Sequence, residues 1–99
     1  MSVYVIGHAR ITDKNAFASY AKLGLEATEE AGGQFIAIGN GDQTVIEGQQ
    51  FAEGGIVIIK FPSLGHYKAF YNGDDYQKAI KMRENACTMD VVVLEGLDV

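Results

Sequence analysis

Ninety-nine residues suit one small domain spanning residues 1–99, without room for a second. Acidic residues outnumber basic ones 13 to 8, for a net charge of −5, and the basic ones are scattered. Phosphate-backbone binding needs clustered Lys and Arg, so no nucleic-acid partner is expected. A hydrophobic share of 47% allows a real core, yet no apolar run approaches the ~20 residues that cross a bilayer, so no membrane role is expected. Cys87 stands alone, which excludes an intrachain disulfide and fits a reducing compartment. With no basic segment and long apolar run at the N-terminus, a cytoplasmic protein is expected.

Residues 3–11 are rich in β-branched and aromatic types and read as the first strand. Thr12 or Asp13 can cap the helix behind it, since either side-chain oxygen can accept a free backbone N–H. Phe17, Tyr20, Ala21, Gly24, Leu25, Thr28 and Ala31 recur at steps of three and four, with Lys22, Glu26, Glu29 and Glu30 opposite. That is an amphipathic helix with one buried stripe, ended by Gly32-Gly33. Gly24 inside it costs up to ~1 kcal/mol against Ala and is expected to mark a close packing contact.

Residues 34–38 and 44–47 read as extended. Gly39-Asn40-Gly41-Asp42 between them permits a tight hairpin, and equally a bulged kink in one bent strand. Residues 56–59 form the most apolar run and are expected near the centre of the sheet. Phe61-Pro62-Ser63 stops that strand and opens a second helix, with Ser63 as N-cap and Leu64, Tyr67, Phe70 and Tyr71 inward. Asn72-Gly73 breaks this helix, and Asp74 or Asp75 can cap a further piece in which Tyr76, Ile80, Arg83 and Cys87 share a face. Residues 91–94 make the last strand.

The order β-α-β-β-α-β predicts an α+β, ferredoxin-like domain with an antiparallel sheet and helices on one face. In the first strand Val3, Val5, Gly7, Ala9 and Ile11 alternate with Tyr4, Ile6, His8 and Arg10, and both sets begin apolar. A sheet apolar on both faces, with helices covering one, calls for a second sheet; the simplest is a second copy. A homodimer is therefore expected.

Asp13 with Phe17 and Tyr20, then Gly32-Gly33-Gln34-Phe35, Gly39, Glu47-Gly48, Phe61-Pro62-Ser63, Phe70-Tyr71, Tyr76-Gln77, Arg83 and Glu95-Gly96 together resemble the family of unknown function DUF1330 over nearly the whole length. That family is similar to the dimeric α/β barrels, in which two ferredoxin-like sheets pack face to face. The group includes cofactor-independent monooxygenases and muconolactone-isomerase-like proteins. The resemblance thus implies a paired fold, but a shared fold does not settle function. The chain departs from the family where Leu64-Gly65-His66 follows Ser63 without the usual acidic residue, and where Phe70 replaces a frequent Trp.

His8 and Arg10 share one face of the first strand. If that face lines a cavity between sheet and partner, His8 could act as a general base and Arg10 could bind a carboxylate. The structural alternatives are a hydrogen-bonded histidine and a surface ion pair. Arg83 could clamp an anion at the cavity, or tie helix to sheet through Glu47 or Glu95. Tyr20, Tyr67, Tyr71 and Tyr76 put four phenols on inward helix faces, where core packing is the ordinary role. Tyr71 and Tyr76, beside the helix break, are the candidates for ligand binding. No metal-ligand spacing, dinucleotide fingerprint or nucleophile elbow is present, so no metal and no cofactor is expected. The sequence favours a small-molecule-binding dimer, with a cofactor-independent enzyme acting on a small hydrophobic or aromatic compound as its sharper form. A non-catalytic structural or accessory dimer is the alternative, and haem held in the barrel is a third reading.

Overall fold

In a computed structural model, which describes residues 1–97, the chain runs β1 (Val3–Ile11), α1 (Lys14–Glu30), β2 (Gln34–Asn40), β3 (Gly55–Phe61), α2 (Leu64–Asn72), α3 (Asp74–Arg83) and β4 (Cys87–Glu95). The sheet order is β2-β3-β1-β4, with every neighbouring pair antiparallel. This is the ferredoxin-like α+β arrangement, its second helical segment split at Gly73. The apolar run in β3 lies at the centre beside β1, as its composition predicts. No helix of the described residues is long and apolar enough to cross a membrane.

Local chemistry sets the helix ends. The Asp13 carboxylate accepts the Ala16 N–H at 3.1 Å and starts α1. Ser63 Oγ accepts the His66 N–H at 3.1 Å and shares a hydrogen bond of 2.7 Å with His66 Nδ1. Ser63 thus caps α2 by its own hydroxyl, without an acidic residue after it. Between α3 and β4, Asn85 takes a φ of 63°, and the chain turns directly into a strand. Cys87, expected on the helix face, is consequently the first residue of β4, opposite Ile11.

The segment after β2 corrects two expectations. Asn40 still belongs to β2, because Ile38, Gly39 and Asn40 pair with Val57, Ile56 and Gly55. Gly39-Asn40-Gly41 is therefore neither hairpin nor bulge; the bulge falls earlier, between Phe35 and Ala37. Residues 44–47 form no strand but lie in a loop over residues 41–54. Asp42 and Gln43 side chains accept the N–H groups of Asn40 and Gly41, which turns the chain out of the ladder.

Val3, Val5 and Ala9 face the helices and are buried, and Phe61 is wholly buried between Tyr67 and Phe70. The opposite face carries a continuous apolar row, Ala37–Ile58–Ile6–Val92, one residue from each strand in register. Val92 and Leu94 are exposed there. The molecule is a slab 34 × 33 × 15 Å across, two layers thick, with no third layer over this row.

Candidate functional site

Between the helices and the sheet lies an open cavity of ≈ 380 Å³. Phe17, Tyr20, Phe35, Tyr67, Tyr76 and Met89 form much of its wall, and Leu25, Ile38 and Val91 are exposed residues on it. No lining residue is charged. Size and apolar character match ordinary small-molecule sites. Ala21 and Leu25, placed in the buried stripe by periodicity, are exposed in the folded chain, yet both line this cavity. Gly24 lines it too. A Cβ there would touch the Tyr20 and Tyr76 rings at 3.8–3.9 Å, so the expected packing contact at this glycine is with two aromatic rings of the wall.

Three phenols stand on the wall. The hydroxyls of Tyr20 and Tyr76 lie 2.6 Å apart and satisfy each other. Met89 Sδ takes the proton of Tyr20 at 3.8 Å and also an N–H of Arg83, whose guanidinium sits 5.2 Å from the Tyr20 ring centroid. Burial, and then the neighbouring Tyr76 hydroxyl, push the Tyr20 phenol well above its ordinary value. Burial likewise raises Tyr67, to about 12. Both are therefore uncharged hydrogen-bonding groups at neutral pH, unsuited to act as phenolate bases. The Tyr67 hydroxyl, unlike the other two, has no hydrogen-bond partner among the described residues.

Of the five candidates read from the sequence, the structure places only Tyr76 on this wall. His8 lies on the opposite sheet face, 4% exposed, donating Nε2–H to the Glu53 carbonyl at 2.8 Å with its ring against Phe51. Because a carbonyl can only accept, Nε2 carries the proton. His8 thus ties β1 to the 41–54 loop and lies away from the cavity. Arg10 is exposed on that same face, away from the cavity. Tyr71 packs on Tyr67 and Tyr76 from outside the lining. Arg83 stands behind Tyr20, held by sulfur and an aromatic face and by neither Glu47 nor Glu95. Tyr20 and Tyr67 belonged to the phenol set but were not singled out, and sequence alone does not distinguish them from Tyr71. Burial raises the Cys87 thiol above its usual value, which disfavours the reactive thiolate.

Residues 2–97 match the family described as "Domain of unknown function (DUF1330)". The chain belongs to the DUF1330 family. Among solved structures, the protein of unknown function RPA0582 from Rhodopseudomonas palustris is similar at a TM-score of 0.81 and 20% identity, over 99% of this chain and 84% of that one. SnoaB, a cofactor-independent oxygenase from Streptomyces nogalater, superposes at a TM-score of 0.70 and 8% identity, over 99% and 95% of the two chains. A hydroxynitrile lyase from Passiflora edulis gives 0.74 and 11%, over 99% and 95%. At these identities the likeness shows the fold. No curated protein matches the chain.

Among the described residues no group of three or more His, Cys, Asp or Glu could hold a metal ion. The cavity wall carries no His and no Cys; of the side chains that can ligate a haem iron it holds only tyrosines and Met89.

Proposed function

We propose that this DUF1330 protein binds a small hydrophobic or aromatic molecule in the cavity on the helix face of its sheet, and works as a homodimer joined through the other face. One observation carries the reading: an open, uncharged, aromatic-walled cavity of small-molecule size, lined in part by a glycine inside a helix. The cavity and the pairing surface lie on opposite sheet faces, so each protomer holds its own ligand. Two proteins of the same fold carry out chemistry, one of them an oxygenase without a cofactor. That supports a cofactor-independent reaction on the bound compound, with the neutral Tyr67 phenol as hydrogen-bond donor to it.

The test uses 2-acetylnaphthalene as probe and the emission of the protein's five tyrosines, undisturbed by tryptophan. Wild-type protein is expected to show saturable quenching at one probe per chain. Gly24→Leu, which fills the space between Tyr20 and Tyr76, is expected to bind at least about tenfold more weakly with an unchanged far-ultraviolet circular dichroism spectrum. Absence of saturable binding, or equal binding by Gly24→Leu, would favour a structural dimer.

A further inference from the structure

We infer that the molecule held in this cavity is uncharged and presents one oxygen acceptor, such as a ketone carbonyl, to the Tyr67 hydroxyl. The inference rests on the cavity being a ligand site and adds the chemistry of its occupant.

The wall contains no Lys, Arg, His, Asp or Glu. A carboxylate entering it would exchange its hydration for apolar and aromatic carbon with no counter-charge on the wall, which is costly. Arg83, which does not line the cavity, faces the Tyr20 ring and donates to Met89 Sδ. The polar groups sort themselves by what already satisfies them. Tyr20 and Tyr76 bond to each other, and Thr28 Oγ1 donates to the Gly24 carbonyl at 2.7 Å. Tyr67 lines the same cavity, is half-buried, and carries the phenol left without a partner among the described residues. Its ring is fixed by Phe61 at 5.5 Å and Phe70 at 6.0 Å, so the hydroxyl is presented from a rigid support. A phenol without a protein partner is free to donate to an acceptor oxygen that displaces the water on it. Its burial also keeps it a donor at neutral pH, where it cannot repel a ligand by charge.

Three probes of one ring system separate the terms: 2-acetylnaphthalene with an acceptor, 2-methylnaphthalene without one, and 2-naphthoate with a charge. Kd is measured for each at pH 7.5 with wild-type protein, Tyr67→Phe and Arg83→Gln. The naphthoate is expected to bind at least about a hundredfold more weakly than the ketone. Tyr67→Phe is expected to weaken the ketone about tenfold and to leave the methyl compound within about twofold. Naphthoate binding as tightly as the ketone would overturn the inference, above all if Arg83→Gln abolished it. So would a Tyr67→Phe variant that weakened ketone and hydrocarbon equally. Failure of all three probes to bind wild-type protein would overturn the ligand-site reading itself, and this inference with it.

Discussion

Val92→Asp is expected to leave each protomer folded and to weaken self-association at least about a hundredfold. Val92 is 49% exposed and ends the cross-strand row Ala37–Ile58–Ile6–Val92 on the face away from the helices. In a lone protomer its side chain faces water, where a change to Asp costs little beyond strand propensity. In a face-to-face pair related by a twofold axis the substitution appears twice, and each carboxylate has to be desolvated at the pairing face. Sedimentation equilibrium decides between the two situations. Wild-type protein should sediment as two chains and Val92→Asp as one, with matching circular dichroism. A wild-type monomer, or a Val92→Asp dimer, would remove the pairing face from the account.

Gly54→Ala is expected to destabilise the fold by about 2–4 kcal/mol, a drop in Tm of about 10 °C or more for a domain of this size. Gly54 has a φ of +86°, and a Cβ built there would lie 2.2 Å from the Ala9 carbonyl oxygen and 3.3 Å from His8 Nε2. It joins the 41–54 loop to β3 where that loop covers His8, and its own carbonyl accepts from Gln43 Nε2 at 3.1 Å. Gly48 supplies an internal control, because its φ is +85° and a Cβ there would meet nothing within 4 Å. Gly48→Ala should therefore show the backbone strain alone, about 1 kcal/mol. Equal losses of Tm for the two variants would show that the contact between Gly54 and β1 contributes nothing.

Much of the fold is legible in the chain because the deciding terms are local. Alternation in β1 assigns Val3 and Val5 to one face and Tyr4 and Ile6 to the other, and Asp13 and Ser63 cap the helices whatever the rest of the molecule does. The failures arise where a distant partner decides. Val45 and Ile46 have the composition of a strand. But β3 already has β1 on one side and β2 on the other, which leaves residues 44–47 no ladder edge there. Ile46 ends 85% exposed in a loop.

The apolar and aromatic residues of the cavity wall are legible in the sequence, whereas their arrangement around an open space is not. Periodicity says that Ala21, Gly24 and Leu25 share an apolar face, not whether that face is filled by side chains or left open as a cavity wall. The sequence could not show that His8 would be covered by a loop beginning 33 residues later, since Phe51 and Glu53 reach it only through the path of that loop. Nor could it separate Tyr67 from Tyr71, one turn apart on α2, one on the cavity wall and the other outside it.

Methyl-resolved two-dimensional NMR of the protein titrated with 2-acetylnaphthalene tests the central claim most directly, because neighbouring residues of one strand report on opposite sheet faces. The account predicts large shifts for Val5, Val57 and Ile59, which line the cavity, with Ile6, Ile58 and Val92 unmoved. Shifts confined to Ile6, Ile58 and Val92 would put the ligand on the other face and contradict it.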